Sequence, residues 1–236
     1  MLAYQRGPAL QRGAALRGQG QVFRFLAIVT GLILAPAGLA ADIEHRDFGI
    51  YVDGKRAGHY HMAITRNDDG SVAMAGHADV RVSYLVYRYA YNYRGTEVWK
   101  DGHLQRLDSA CNDNGKGFNV NAATDGTAVH VNVNGREHAC RSDVWTTTYW
   151  RPPDPKFHNQ SIPLLDCDTG RPLSATLLFI GTTQLNVGGR VQNCTQYRLA
   201  GQVTADLWYD AQERLVREDT IEEGHRTVIE LVQIRR

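Results

Sequence analysis

The stretch KRAGHYHMAITRNDDGSVAMAGHADVRV, residues 55–82, decides the fold, because apolar and polar side chains alternate on both sides of a turn. Successive side chains of a β-strand point to opposite faces, so this pattern predicts an antiparallel hairpin closed by the Asp-Asp-Gly turn at 68–70. The apolar face comprises Tyr60, Met62, Ile64, Met74, Ala78, Val80 and Val82.

The same alternation continues outward in both directions, interrupted by Asp-Gly and Asn-Gly pairs typical of hairpin turns. The predicted strands are Ile43–Val52, Lys55–Arg66, two strands between Ser71 and Trp99 that meet near Ser83–Leu85, His103–Ser109, Phe118–Ala123, Ala128–Val133, Glu137–Arg141, Leu173–Ile180, Thr183–Val187, Arg190–Ala200, Gln202–Tyr209, Leu215–Ile221 and Arg226–Ile234. The fold class is therefore all-β: a strongly curved antiparallel sheet forming a half-open barrel or β-clamp, with a sandwich as the alternative. At most one short helix is expected, from Ser142 to Tyr149.

Residues 1–40 have the pattern of a cleaved secretion signal. They contain four arginines and no acidic residue, and Phe25–Ala40 forms an apolar run closed by Gly38-Leu39-Ala40. We expect cleavage after Ala40, a periplasmic or extracellular location, and a mature protein that is not integral to the membrane. A transit peptide is the alternative, and the long basic region also leaves the true start codon open.

Residues 41–236 are expected to form a single β domain. The prolines of Arg151-Pro152-Pro153-Asp154-Pro155 forbid regular structure, so the segment near 151–162 is predicted to link an N-terminal and a C-terminal set of strands. Without the four leader arginines, 22 basic residues face 25 acidic ones, a formal net charge of −3. The basic residues are scattered, so no nucleic-acid partner is expected.

The mature chain has four cysteines, and an even number in an oxidising compartment favours two disulfides. Sequential pairing of Cys111 with Cys140 and of Cys167 with Cys194 is preferred among the three possible connectivities. A zinc site is the alternative, but the sequence contains no C-x-x-C pair.

Several short motifs resemble a secreted bacterial family of unknown function, of the DUF6134 type. They are Glu97-x-Trp99-Lys-Asp-Gly102-x-Leu104, Asn112–Gly115, Thr147–Trp150, Tyr197-x-Leu-x-Gly201 and Leu207–Asp210. The resemblance implies an open β-clamp akin to periplasmic lipoprotein carriers, in which a bent antiparallel sheet wraps a concave surface. It implies no activity, cofactor or catalytic residue.

A series of tyrosines provides the candidate ligand-binding surface. Tyr87, Tyr89, Tyr91 and Tyr93 share strand parity with Glu97 and Trp99, whereas Arg88, Asn92 and Arg94 occupy the other face. Phenol rings can stack on sugars or line a groove for an acyl chain while their hydroxyls keep polar partners. Tyrosine is also a favoured strand residue, so packing is the structural alternative.

The predicted hairpin also contains a candidate metal site. Its register places His61 opposite His77 and His59 opposite Asp79, all pointing the same way. Imidazole nitrogens and a carboxylate oxygen can bind a divalent metal. A solvated polar face is the alternative, and no other cofactor is expected.

These patterns favour a non-catalytic binding or carrier module for an amphiphile or an envelope glycan. The alternatives are a metal-binding protein and a glycan-cleaving envelope enzyme, for which Glu97, Asp79, His61, His77 and the tyrosines are the catalytic candidates. No hydrolase elbow, zinc-protease motif or phosphate-binding glycine loop is present in the sequence. The oligomeric state is left open.

Overall fold

The computed structural model describes residues 42–84, 87–222 and 224–236. The predicted leader, residues 1–40, lies outside them. Within them the structure has fifteen strands and a single-turn 3-10 helix at Pro155–Phe157. The strands are β1 Ile43–Val52, β2 Lys55–Arg66, β3 Val72–Tyr84, β4 Tyr87–Lys100, β5 His103–Asp113, β6 Lys116–Thr124, β7 Ala128–Val133, β8 Arg136–Arg141, β9 Trp145–Thr146, β10 Gln160–Leu165, β11 Pro172–Val187, β12 Arg190–Gly201, β13 Ala205–Tyr209, β14 Leu215–Glu222 and β15 His225–Arg235.

All strands belong to one sheet in the order β8-β7-β6-β5-β4-β3-β2-β1-β15-β14-β13-β12-β11-β10-β9. Every neighbouring pair is antiparallel except β9 and β10. The sheet is therefore a meander whose two halves are joined where β1 pairs with β15. The predicted curved, unclosed antiparallel sheet is confirmed, and the sandwich alternative is wrong because the strands form one continuous sheet.

The hairpin turns follow their sequence signals. At Asp53-Gly54 and Asn134-Gly135 both central residues have positive φ, the geometry of two-residue turns whose twist matches the flanking strands. Gly181 behaves differently. It lies at a register shift opposite Gln196, so residues 172–187 form one bulged strand where the sequence predicted two strands and a turn.

The segment between β8 and β10, residues 142–159, is here called the connecting segment; it packs on the concave face of the sheet. Val144, Trp145, Tyr149 and Trp150 are all buried, so the segment lacks the polar face of a surface helix. The helix predicted from Ser142 to Tyr149 is wrong, since Trp145–Thr146 pairs with β10 and Tyr149 has a φ of 48°.

Contacts from both halves of the sheet meet at this connecting segment, and they show the curvature. Arg46 on β1 donates to the carbonyl of Trp150 at 2.9 Å, and the Tyr209 hydroxyl on β13 donates to the carbonyl of Tyr149 at 2.8 Å. In the proline-rich part, residues 151–159 carry the 3-10 turn, with Pro153 and Phe157 buried and residues 154–156 exposed, and residues 160–162 already belong to β10. In the described residues there is no helix long and apolar enough to cross a membrane.

Candidate functional site

The tyrosines of β4 point into the concave side of the sheet. Tyr89, Tyr91 and Tyr93 line an interior cavity, while Arg88 and Asn92 on the opposite face are exposed. The strand parity predicted from the sequence is therefore correct for these residues. The side chain of Tyr87 lies outside the described part of the structure.

The cavity has a volume of about 320 Å³ and lies between the middle strands of the sheet, the connecting segment and the β10–β11 turn, residues 166–171. Its lining combines apolar, hydroxyl and acidic groups, with no lysine or arginine among the described lining residues. The apolar side chains are Ile50, Val52, Ala78, Val80, Val82 and Ile229; the aromatic ones are Tyr60, Tyr89, Tyr91 and Tyr93; the acidic ones are Asp113, Asp168, Glu218 and Glu222. Thr147, Thr148, Cys167, Thr220, His225 and Thr227 complete it.

Asp168 is the polar group that the β10–β11 turn contributes to this cavity. Its two carboxylate oxygens each lie 2.9 Å from the hydroxyl of Tyr91 on β4. Burial, together with the nearby charge of Asp166, raises the pKa of Asp168 to about 7. A carboxyl with such a pKa binds a proton at neutral pH far more readily than a solvated aspartate.

Glu218 is contributed from the other half of the sheet. It lies on β14 and shares strand parity with Thr220 and Glu222, which also line the cavity. Burial and the charges of Glu222 and Asp168 raise its pKa to about 8. Acidic groups from β14 and from the β10–β11 turn thus line the same half-open cavity.

Two buried hydroxyls border the same cavity without a hydrogen-bond partner among the described residues, those of Tyr60 and Tyr93. Their rings are edge to face, with centroids 6.5 Å apart. The Tyr93 hydroxyl lies over Gly95, where an added Cβ would be only 2.1 Å away, so a larger residue at 95 would displace the ring. The rings of both tyrosines line the cavity, whereas their hydroxyl oxygens are buried against Gly76 and Gly95.

Glu97 lies behind this cavity rather than in it, and its residue is fully buried. Its carboxylate accepts hydrogen bonds from four N–H and O–H groups and a weaker one from the Cys167 thiol at 3.7 Å. The donors are Trp99 Nε1 at 2.7 Å, Thr146 Oγ1 at 2.9 Å, Thr148 Oγ1 at 2.5 Å and Trp150 Nε1 at 3.1 Å. This group, here called the Glu97 hub, joins β4 to the connecting segment.

The hub corrects part of the sequence prediction. Glu97 and Trp99 were expected on the ligand-binding face, but neither lines the cavity, and Trp99 is 3% exposed. The guanidinium of Arg151 covers the Trp99 ring at 4.7 Å. The Glu97-x-Trp99 and Thr147–Trp150 motifs therefore form a buried contact between distant segments.

The four cysteines are free thiols, so the predicted disulfides Cys111–Cys140 and Cys167–Cys194 are wrong. Cys111 lies on β5 and Cys140 on β8, with two strands between them. Cys194 pairs with Thr183 of β11. Thr183 is eleven residues from Pro172, where β11 begins after the turn that contains Cys167. A disulfide requires Cα atoms within about 7 Å, and both separations exceed that limit.

The histidines of the predicted metal site come together on the outer face of the sheet. His61 pairs with His77 and His59 with Asp79, as the turn register predicted. The candidate ligand nitrogens of His59, His61 and His77 all lie within 4.8 Å of one another. Asp79 does not join them, because its carboxylate accepts from Asn92 at 2.5 Å.

The carboxylate that contacts the histidine cluster is Asp47, which was not among the predicted site residues. Asp47 on β1 pairs with His61, and its Oδ1 contacts Nδ1 of that ring. Its other oxygen accepts from Arg235 at 2.9 Å. Although burial opposes ionisation, these hydrogen bonds hold the pKa of Asp47 below its usual value.

Comparison with known proteins identifies the family of this chain and a solved structure with a similar fold. The domain of unknown function DUF6134 matches residues 48–232. No curated protein matches the chain in sequence. Among solved structures, the crystal structure of a β-barrel-like protein of the domain of unknown function DUF1849 from Brucella abortus is similar, with a TM-score of 0.59 and 9% identity over 81% of this chain and 96% of that one. That likeness shows the fold alone, whereas the match over residues 48–232 shows that the chain belongs to the DUF6134 family.

Proposed function

We propose that this protein is a binding module that holds a small amphiphilic molecule in the interior cavity. The observation that carries the proposal is the combination of apolar walls with acidic and hydroxyl groups around one half-open cavity of about 320 Å³. Ligand pockets are mostly apolar, with a few polar groups that fix the orientation of the ligand. The cavity of this chain has both features.

The charge of the lining supports a ligand with a cationic or hydrogen-bond-donating head. Four acidic side chains line the cavity, and the described lining residues include no lysine or arginine. An anionic head group would therefore meet like charges in a desolvated space. The side chains of Ile50, Val80 and Ile229 supply the wall for an apolar tail.

Cleavage of an envelope glycan is the second candidate function. It is favoured by Asp168 and Glu218, since a carboxyl with a raised pKa is what a general acid requires. Glu97, another carboxylate predicted for this role, is enclosed by its donors and does not line this cavity. A binding role needs only the cavity, whereas cleavage also needs a second, ionised carboxylate across the substrate.

We also propose that the protein works outside the cytoplasm. The support is the composition of residues 1–40, which are basic and then apolar. Because β1 begins at Ile43, cleavage after Ala40 would leave the whole sheet in the mature chain. N-terminal sequencing of the chain from cell fractions tests this: a mature terminus at Ala41 in the periplasm or medium is expected, and an uncleaved cytoplasmic chain would contradict it.

Isothermal titration with octylamine and with octanoate tests the binding proposal. We expect octylamine to bind with one molecule per chain, more tightly at pH 8.5 than at pH 6, because ionised Asp168 and Glu218 attract the ammonium group. Octanoate should bind at least tenfold more weakly. Equal affinity for both probes, or octylamine binding that survives Glu218→Gln combined with Asp168→Asn, would refute the proposal.

A further inference from the structure

The outer face of the sheet carries a second potential site, on the side opposite the cavity. On β2, Tyr60 and Met62 point inward and are buried, so the alternating His59 and His61 point outward. His77 of β3 joins them through its pairing with His61. The three imidazoles are therefore independent of the binding site proposed above.

From this geometry we infer that His59, His61 and His77 bind a single divalent cation of the zinc type. The ring centroids lie 5.2 Å apart for His59 and His61, 4.8 Å for His61 and His77, and 6.2 Å for His59 and His77. Zinc, copper and nickel favour imidazole ligands, and three histidines with one open position form an established zinc geometry.

The rings need only small movements to close around the ion. Their candidate nitrogens lie within 4.8 Å of one another, and a tetrahedral zinc site requires nitrogen separations of about 3.3 Å. His59 and His77 are exposed, so their rings can rotate about χ1 and χ2 without displacing packed neighbours. His61 is half-buried and forms the fixed member of the set.

Asp47 is the positioning residue of the proposed site. Its contact with Nδ1 of His61 selects the tautomer that leaves Nε2 free for the metal. Asp47 is itself held by Arg235. This carboxylate–histidine arrangement is the support that metal-binding histidines commonly have, and it separates His61 from an ordinary surface histidine.

Space for a fourth ligand exists beside the cluster. A surface groove that includes His61 and His77 continues over the small residues Ala75, Gly95 and Ala110. Arg94 lies opposite His77 across β3 and β4, but it is exposed, so solvent and salt screen its charge. The open position favours a water molecule or a small exchangeable ligand over a closed structural site.

Isothermal titration of the mature chain with zinc chloride tests the inference. We expect one zinc ion per chain, with affinity reduced at least tenfold in both His61→Ala and His77→Ala. Asp47→Asn should weaken binding by about 10- to 100-fold, because it removes the group that orients His61. A matched control is His130→Ala, which removes another exposed histidine that also contacts an aspartate, Asp125, at 2.8 Å.

The outcomes separate this site from the cavity. Unchanged zinc binding in His77→Ala would refute the inference, and this variant is the decisive one because His77 is exposed and its loss leaves the core intact. Equal weakening by His130→Ala would show that zinc binds surface histidines without selection. Octylamine binding should be the same in wild type and in His77→Ala, so a failed zinc site leaves the binding proposal standing.

Discussion

The hydroxyl of Tyr91 lies 2.9 Å from each carboxylate oxygen of Asp168, across 77 positions of sequence. This contact joins the inner face of β4 to the β10–β11 turn, so it closes one wall of the cavity. Strand parity predicted that Tyr91 faces inward. Asp168, its partner, was not among the predicted site residues.

Replacing Tyr91 with phenylalanine should remove this link while keeping the ring. We expect a loss of about 1–2 kcal/mol in the free energy of unfolding, because the half-buried Asp168 loses its hydrogen-bond partner. The pKa of Asp168 should rise further, since the hydrogen bond from Tyr91 lowers it. Urea unfolding and carboxyl carbon NMR titration measure both effects. An Asp168 pKa that falls or stays the same would contradict the assignment.

We expect Glu97→Gln to lower the free energy of unfolding of the whole domain. A glutamine offers one acceptor oxygen and a donor group to the four donors that now surround the carboxylate. We expect a loss on the order of 3 kcal/mol, measured by urea unfolding. The exposed Glu137→Gln on β8 is the matched control and should change stability by less than about 0.5 kcal/mol. Equal effects of the two substitutions would mean that the hub has no structural role.

Stability should fall as the pH rises from about 4.5 to 8. The pKa values of Asp168 and Glu218 in the folded chain are raised to about 7 and about 8, so over this range the folded state holds protons that the unfolded state has released. Each group can contribute up to about 5 kcal/mol, fully present at acid pH and lost as pH rises through its folded pKa.

Comparing the pH dependence of the unfolding free energy between wild type and a variant that lacks both carboxyls separates their contribution from that of the histidines. Asp168→Asn combined with Glu218→Gln should flatten the dependence of the unfolding free energy on pH between 4.5 and 8. An unchanged slope in the double variant would show that neither carboxyl has a raised pKa.

Peptide mapping of the non-reduced protein should find neither Cys111–Cys140 nor Cys167–Cys194. Strand order separates the first pair, and the length of β11 separates the second. Burial raises the pKa of the Cys111 thiol to about 12, so little reactive thiolate forms near neutral pH. A cross-link between Cys111 and Cys140 would contradict the strand order, and one between Cys167 and Cys194 would contradict the path of β11.

The sequence was informative where local rules act. The Asp-Asp-Gly turn at 68–70 set the register of His61 and His77, and alternation along β4 identified the tyrosines that face inward. Both depend on the period of two in a strand and on turns of a few residues, which tertiary contacts seldom override.

Long-range placement was not available from the sequence. Asp168 follows the apolar Ile162–Leu165 run in a turn, and nothing local shows that it lies beside Tyr91. For Glu218 the sequence did contain an indication. Glu218 shares strand parity with Val216 and Thr220, which are buried, and a carboxylate is unusual on a buried face. Residues 142–149 were misassigned because a serine that can cap a helix begins the segment, whereas burial of its aromatics in the sheet determines its conformation.

Native mass spectrometry of the freshly purified, processed protein tests the central claim most directly, because it weighs whatever the cavity holds. We predict a bound amphiphile in wild type and in Asn92→Ala, an outward-facing control on β4, and its loss when Tyr89→Ala and Tyr91→Ala are combined in a chain that still folds. A wild-type chain with no adduct that also fails to take up octylamine, or an adduct that persists in the double variant, would contradict the account.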